Sequence, residues 1–193
     1  MQRPQLIIFT DLDGTLLDHH SYSWQAAEPA LKQLREKQIP LILCTSKTAA
    51  EVSQLHSELE LTTPFIVENG AGVILSPTDG SAHFFGKSYP QLIDLVQQLR
   101  QSKGYRFSGF NDLSVAEVIA ETGLDATKAK LAKQRLCSEP IRWDDNQEAL
   151  VQFKEDLAEH DLQLLRGGRF YHVLSRTADK GTALRWLLQN YPD

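Results

Sequence analysis

The chain has 193 residues, of which 41% are hydrophobic and 23% are charged, with a formal net charge of −5 at pH 7. These values are typical of a folded protein with a packed core and argue against a disordered chain. The acidic balance argues against a nucleic-acid partner, although it leaves room for a small anion, and no apolar stretch approaches the ~20 residues of a membrane span. With two cysteines and no signal-like N-terminus, we expect a cytoplasmic protein without a disulfide framework.

The first 70 residues alternate between short apolar runs and amphipathic segments. Strands are predicted at 6–9, 40–44 and 65–67, because these runs are apolar and rich in β-branched residues. Helices are predicted between them, one over 24–38 and one that begins at the capping box Thr48-Ala-Ala-Glu51. This β-α-β-α-β order predicts a parallel sheet with crossover helices.

After residue 70 the simple alternation ends, and the rest of the chain is predicted to be a mixed α/β module followed by a last helix. The predicted elements are a hairpin over 71–88, a helix over 89–101, a capping box at 114–117, a helix over 126–136, an extended segment at 138–143, a helix over 148–160, two strands at 162–165 and 169–174 that pair across Gly167-Gly168, and a helix capped by Asp179. We therefore place the core at 1–86, the inserted module at 87–174 and the return to the core at 175–193.

Two acidic residues, Asp11 and Asp13, follow the first strand directly. Ligands of open parallel sheets bind at the carboxyl ends of the strands, and residues two apart in extended backbone point to the same side. Mg²⁺ would remove the repulsion between these carboxylates, and one of them could attack phosphorus while the other protonates the leaving oxygen. The plainer alternative is that Asp-Leu-Asp-Gly forms a solvated turn.

Further polar residues are predicted to lie near the same end of the sheet, after the second strand and at the start of the last helix. Thr45, Ser46 and Lys47 follow the second strand, where a hydroxyl and a backbone N–H could hold a phosphate oxygen, unless they only begin the next helix. Lys180 begins the last helix, where its ammonium group could offset the charge of nucleophile and phosphate. Taken alone, Lys180 is also compatible with an ordinary surface lysine.

Together these residues resemble the haloacid dehalogenase superfamily of phosphohydrolases. The segment DLDGT at 11–15 is similar to its first motif, which implies Asp11 as nucleophile and Asp13 as acid and base. Thr45 matches the second motif and Lys180 the third. The resemblance implies an α/β fold with a Rossmann-like core, a parallel sheet, an inserted α/β cap and a Mg²⁺ ion held by the two aspartates.

A narrower resemblance, to the mannosyl-3-phosphoglycerate phosphatase family, extends over most of the chain. It rests on the segments TSKTAAEV, PFIVENGAGV, GFNDLSVAEVIAETGL, AKLAKQRLCSEPI and GGRFYHVL, which occur in the family's order. It implies hydrolysis of the phosphate ester of a mannosyl- or glucosyl-glycerate, which releases phosphate and a compatible solute. The substrate-binding residues that we expect are Ser46, Lys47, Asn69, Arg135, Ser138, Glu139, Gly168, Arg169 and His172. Arginine forks suit a carboxylate or phosphate, although Arg135 is also compatible with a solvated helix face and Gly168 with a hairpin turn.

The resemblance also implies a fourth, acidic motif with a further metal-binding carboxylate and two more core strands. Neither is found between Lys180 and Asp193, so we expect the first strand to form an exposed sheet edge. Three explanations stay open: a fragment of a longer enzyme, a sheet completed by another segment or by self-association, and a degenerate form that binds without turnover. Another sugar phosphatase or a phosphomutase with the same core is the remaining alternative.

Overall fold

A five-stranded mixed sheet forms the centre of the computed structural model, which describes residues 6–19 and 21–190. Strand β1 (Ile8–Thr10) pairs in parallel with β2 (Leu41–Leu43), and one parallel bridge, Cys44 to Ile66, joins β2 to β3 (Phe65–Val67). The hairpin of β4 (Gly72–Ser76) and β5 (Ser81–Phe84) then adds two antiparallel strands, so the order is β1-β2-β3-β4-β5. The predicted strands and hairpin are confirmed. Among the described residues, β1 pairs with β2 alone.

Helices cover both faces of this sheet because successive strand residues point in opposite directions. Leu43 and Phe65 face α1 (Glu28–Glu36) and α2 (Ala49–Glu58), whereas Ile42 and Ile66 face α7 (Lys180–Asn190). A short 3-10 turn, Gln25–Ala27, leads into α1. The predicted outer ends of the core, 1–5 and 191–193, lie outside the described residues. In the described part of the chain, no helix combines the length and apolarity that crossing a membrane requires.

The middle of the chain builds a second, four-stranded antiparallel sheet. Its elements are α3 (Tyr89–Lys103), β6 (Phe107–Gly109), α4 (Val115–Thr122), α5 (Ala126–Ala132), β7 (Ser138–Trp143), α6 (Gln147–Glu159), β8 (Leu162–Arg166) and β9 (Tyr171–Ser175), with strand order β6-β7-β9-β8. Helices α3 and α6 bury Leu92, Val96, Phe153 and Leu157 against this sheet. We call residues 87–174 the cap, as predicted from the sequence; these bounds stay a prediction.

Local capping signals fix several helix ends. Thr48 with Glu51, and Ser114 with Glu117, form the two predicted capping boxes, and the Asp179 carboxylate accepts a hydrogen bond from the Thr182 N–H at 2.8 Å. Such caps each contribute about 1 kcal/mol. The helix predicted over 126–136 is shorter and ends at Ala132. Its expected last residues turn away because the Leu136 N–H instead donates to the Glu68 carboxylate at 2.8 Å.

Candidate active site

The turn after β1 directs two carboxylates to the surface. Leu12 is fully buried in the core between the strands and helices, whereas the side chains of Asp11 and Asp13 are 48% and 44% exposed. The Leu12 N–H donates to Asp11 Oδ1 at 2.7 Å, and Gly14 turns the chain at a φ of 68° that favours glycine. Burial of Leu12 therefore anchors the turn that presents both acids at the carboxyl end of β1.

A lysine from a different part of the chain neutralises each acid. Lys180 Nζ lies 2.9 Å from Asp11 Oδ2, and Lys47 Nζ lies 3.1 Å from Asp13 Oδ1. Lys47 belongs to the loop after β2 and Lys180 is the first residue of α7. Two ammonium groups thus accompany the two carboxylates at the carboxyl end of β1. They offset the repulsion that the carboxylates alone would exert on an anionic substrate.

Close packing of backbone fixes the start of α7. Gly70, in the loop after β3, has a φ of 91°, and a Cβ there would lie 2.2–2.5 Å from the Asp179 carbonyl and the Lys180 N. Only glycine permits this approach, because both neighbouring groups are backbone and cannot rotate away. The loop after β3 thereby holds Lys180 within reach of Asp11. Sequence reasoning missed this role of Gly70. The available signal was the Asn69-Gly70 pair shortly after a buried strand, since both residues tolerate left-handed backbone.

The loop after β2 is tied to the loop after β3. Thr45 is fully buried; its N–H donates to the Ile66 carbonyl at 3.0 Å and its carbonyl accepts from the Asn69 N–H at 3.0 Å. The Thr45 hydroxyl accepts from the Lys47 N–H at 3.3 Å. Asn69 adopts a left-handed φ of 59°, which asparagine tolerates better than most residues. The predicted phosphate-binding residues thus form one hydrogen-bonded unit beside Lys47.

Part of the predicted substrate-binding set lies where the cap meets the core. The Arg135 guanidinium donates to the Ser46 carbonyl at 3.0 Å and, at 3.4 Å, to the Ser138 hydroxyl. His172 is largely buried, and its Nδ1 has no hydrogen-bond partner among the described residues. Burial, with a smaller effect of the Arg135 charge, lowers the pKa of His172 to about 3. The imidazole is therefore neutral at pH 7, and its buried Nδ1 has no hydrogen-bond partner among the described residues.

The other predicted cap residues are held within the cap itself. Glu139 is 2% exposed; its carboxylate accepts from the Asn111 N–H and from the Tyr89 hydroxyl, both at 2.8 Å. Burial raises the pKa of Glu139 to about 7. Arg169 donates to the Thr122 carbonyl at 3.0 Å, near the end of α4, and the space beside Gly168 is open. The structure thus brings Arg135 and Ser138 to the core and keeps Glu139 away from solvent.

A buried carboxylate that sequence reasoning missed joins the cap to the core. Glu68 is fully buried at the end of β3, and it accepts hydrogen bonds from the Leu136 N–H, the Cys137 N–H and the Ser138 hydroxyl at 2.8, 3.1 and 2.7 Å. The only sequence signal of this contact was the position of an acidic residue at the end of a buried strand. Ser138, predicted to bind substrate, is therefore engaged by Glu68 in this structure.

The Cys44 thiol is a poor alternative to the two acids as a nucleophile. Burial raises the pKa of the neighbouring Cys44 thiol to about 11, so it remains protonated near neutral pH and is a poor nucleophile. The residues 6–19 and 21–190 contain no group of three or more His, Cys, Asp or Glu side chains that could hold a metal. Two exposed carboxylates at one strand end nevertheless fit Mg²⁺, which often binds one or two carboxylates together with substrate phosphate.

Two solved structures that share this fold are described as a phosphatase and a hydrolase. A phosphatase of the haloalkanoate dehalogenase superfamily from Bacteroides thetaiotaomicron superposes with a TM-score of 0.71 at 19% identity, over 99% of this chain and 75% of that one. A haloacid dehalogenase-like hydrolase from B. subtilis gives a TM-score of 0.66 at 19% identity, over 95% of this chain and 78% of that one. At these identities the likeness establishes the fold: an α/β core with an inserted cap.

Sequence similarity establishes the family. A model of the haloacid dehalogenase-like hydrolases matches residues 8–192. A glucosyl-3-phosphoglycerate/mannosyl-3-phosphoglycerate phosphatase from Methanococcoides burtonii is 42% identical over 96% of this chain and 72% of its own length. The chain therefore belongs to the haloacid dehalogenase-like hydrolase family, and within that family it is a phosphatase.

Proposed function

We propose that this phosphatase hydrolyses the phosphate ester of glucosyl-3-phosphoglycerate or mannosyl-3-phosphoglycerate through an aspartyl phosphate at Asp11. The observation that carries the proposal is the paired arrangement of Asp11 with Lys180 and Asp13 with Lys47 at one strand end. The 42% identity to an enzyme of that name supports the substrate class. A cytoplasmic location is part of the same proposal.

Asp11 is the proposed nucleophile. Its carboxylate attacks phosphorus and the bond from phosphorus to the glycerate oxygen breaks, which leaves an acyl phosphate on Asp11. Lys180, 2.9 Å from Asp11 Oδ2, orients the carboxylate and offsets the negative charge that gathers when the phosphate approaches. Electrostatic compensation of this kind is often among the largest contributions of an enzyme to rate.

Asp13 is the proposed acid and base. The protonated form of Asp13 gives its proton to the departing glycerate oxygen in the first step, and the carboxylate that results takes a proton from the attacking water in the second. Phosphate then leaves and Asp11 is regenerated. The pairing of Asp13 Oδ1 with Lys47 Nζ at 3.1 Å fixes the direction of this carboxylate.

Thr45, Ser46 and Asn69 are proposed to hold the phosphate oxygens at the unit formed by the loops after β2 and β3. Asp11 and Asp13 would hold Mg²⁺, which when bound supplies charge stabilisation to the phosphate. On the cap, Arg135 and Arg169 are proposed to bind the glycerate carboxylate, with Ser138, Glu139, Gly168 and His172 as further contacts. The Arg135 contact to Ser46 supports this, because it brings a cap cation to the phosphate-binding loop.

The proposal is tested by phosphate release from glucosyl- and mannosyl-3-phosphoglycerate, compared with a panel of simple sugar phosphates. Each reaction is run with Mg²⁺, with a chelator, and with the chelator followed by excess Mg²⁺. We expect the highest kcat/KM for the two glycosylated glycerates, loss of activity on chelation and recovery with Mg²⁺. Faster hydrolysis of the simple sugar phosphates, or full activity in chelator, would reject the substrate class or the metal respectively.

A further inference from the structure

The cap leads into the reaction centre through a segment of four residues, 176–179, which joins the last cap strand β9 to α7. We call it the return segment. Lys180 follows it directly, and Lys180 Nζ lies 2.9 Å from Asp11 Oδ2. The loop after β3 packs against the end of this segment from the core side, at Gly70. A second contact holds the segment from the cap side.

The second contact is made by Gln163, which lies on β8 in the cap. Because side chains alternate along a strand, Leu162 and Leu164 pack into the interior of the cap, whereas Gln163 and Leu165 lie on the opposite face. Leu165 packs there against the apolar cluster that contains Ala178 of the return segment. The sequence of β8 thus places one amide on the face that contacts the return segment.

The amide of Gln163 binds two backbone carbonyls at once. Its Nε2 donates to the Ser175 carbonyl at 3.1 Å and to the Ala178 carbonyl at 2.7 Å. Both partners can only accept, so they fix the orientation of the amide. The two residues also form a turn, since the Ala178 N–H donates to the Ser175 carbonyl at 3.0 Å, and both are buried. One side chain therefore ties together both ends of the turn that precedes α7.

A displacement of this turn would reach Lys180 within two residues. Asp179 follows Ala178 and caps α7, where its carboxylate accepts from the Thr182 N–H at 2.8 Å. Because peptide groups are planar, only a few torsion angles separate the Ala178 carbonyl from the first turn of α7. The start of α7 is thus held from two sides, by the core and by the cap.

We propose that Gln163 is a positioning residue for the phosphatase reaction, which acts through the return segment by holding Lys180 beside Asp11. The proposal rests on the function proposed above, in which Lys180 orients Asp11 and offsets the charge of the phosphate. Misplacement of a reacting group by about 1 Å can lower a rate about 10²-fold, so a contact outside the reaction centre can control turnover. The cap thereby contributes to the chemical step through a residue on one of its strands.

The test compares Gln163→Leu, which removes the donor and keeps a side chain of similar size, with the wild type. Gln152→Leu is the matched control, because it makes the same change at an exposed glutamine of the cap helix α6, whose amide contacts Asp156. Initial rates are measured with the phosphate ester that the wild type hydrolyses fastest. We expect kcat to fall about tenfold or more in Gln163→Leu with little change in KM, whereas Gln152→Leu keeps both values.

A double-mutant cycle separates positioning from a merely structural role. A structural role would lower kcat by the same factor whether or not Lys180 is present. Gln163→Leu is therefore also measured in Lys180→Ala at high enzyme concentration, where we expect a further change in kcat of no more than about twofold. Equal kcat in the wild type and Gln163→Leu, or the same factor in both backgrounds, would overturn the proposal.

Hydrogen exchange tests the contact without turnover. The amides of Ala178 and Thr182 should exchange faster in Gln163→Leu than in the wild type, with no change within α6. Unchanged exchange at both amides would overturn the proposal. Faster exchange together with a wild type that releases phosphate from no ester would reject the proposed function and keep the contact of Gln163 with the return segment. Phosphate release with a kcat that is unaffected by Gln163→Leu would do the reverse.

Discussion

Asp11 and Asp13 are close in sequence, but their surroundings differ. Asp11 is bound by the backbone of Leu12 and by Lys180, which leaves its carboxylate oriented along the strand end. Asp13 lies two residues further on, where it pairs with Lys47. These surroundings support the proposed roles of Asp11 as nucleophile and Asp13 as acid, because a nucleophile needs orientation and an acid needs access to the leaving group.

The substitution Asp11→Asn should abolish phosphate release and leave the fold intact. The amide has the same shape, yet it is a far weaker nucleophile, and the side chain is half exposed, so little stability depends on its charge. Phosphate release and circular dichroism of the variant measure the two effects. Asp94→Asn, on the exposed side of α3, is the matched control and should keep wild-type turnover. Retained turnover in Asp11→Asn would defeat the assignment.

Glu139 should give the stability of the protein a specific pH dependence. Its pKa is raised from 4.5 to about 7, chiefly by burial, so between these values the folded state retains a proton that the unfolded state has lost. The stabilisation is complete below pH 4.5 and is lost as the pH rises through about 7. Glu139→Gln cannot ionise and lacks this loss. Denaturant titrations should therefore show the wild type losing about 3 kcal/mol relative to Glu139→Gln between pH 4.5 and 8. A difference that is constant with pH would contradict this account.

At the scale of elements, the site depends on where α7 begins. Gly70→Ala would place a Cβ 2.2–2.5 Å from backbone atoms of Asp179 and Lys180, so the first turn of α7 must move and Lys180 with it. We expect a loss of about 3 kcal/mol or more in the free energy of unfolding and a fall in kcat for the folded fraction. Gly104→Ala is the control, because its φ of 75° is similar but no atom lies within 4 Å of the added Cβ.

The control should lose only about 1–2 kcal/mol, which is the cost of left-handed backbone for an alanine, and its kcat should equal that of the wild type. Denaturant titration and initial rates measure both quantities. Equal effects of Gly70→Ala and Gly104→Ala would mean that the contact between the loop after β3 and α7 has no special role.

Elements that follow from local patterns could be predicted from the sequence. The strand Phe65–Val67, the β4–β5 hairpin and the capping boxes at Thr48 and Ser114 depend on residues within a few positions of each other. The end of α5 could not be predicted, because what turns residues 133–138 away from the helix is a carboxylate from Glu68, 68 positions from Leu136. Periodicity contains no information about a contact of that kind.

At the scale of the whole molecule, polar contacts hold the cap segment around residues 131–138 on the core. The Thr48 hydroxyl donates to the Leu131 carbonyl at 3.0 Å, Arg135 reaches Ser46, and Glu68 accepts three hydrogen bonds from Leu136, Cys137 and Ser138. The same loops carry Thr45 and Lys47, so docking of the cap and the geometry of the proposed phosphate-binding unit depend on one another.

Glu68→Gln should destabilise the protein strongly, since an amide can accept only at its oxygen and would direct N–H groups at buried N–H donors. Each buried donor left without a partner costs about 1–3 kcal/mol, so we expect a loss of about 3 kcal/mol in the free energy of unfolding. Glu155→Gln, an exposed position on α6, is the control and should change it by less than about 0.5 kcal/mol. Equal denaturation midpoints for the two variants would contradict the role of Glu68.

The candidate site, too, was predictable from the sequence only where it depends on local patterns. The strand-end position of Asp11, Asp13 and Thr45 follows from the pattern of apolar runs, and the resemblance to a known family indicates Lys180. Neither indicates that Lys47 pairs with Asp13 across 34 positions, or that Tyr22 and α2 enclose a cavity with the cap. Such features arise only when separate segments fold together.

The most direct measurement is chemical trapping of the acyl phosphate during turnover of glucosyl-3-phosphoglycerate. The reaction is quenched in acid, reduced with borodeuteride and digested, because an aspartyl phosphate is converted by this treatment into deuterated homoserine. The account predicts label at residue 11 in the wild type and none in Asp11→Asn. Label at another residue, or turnover that leaves residue 11 unlabelled under conditions that trap a synthetic acyl phosphate, would contradict it.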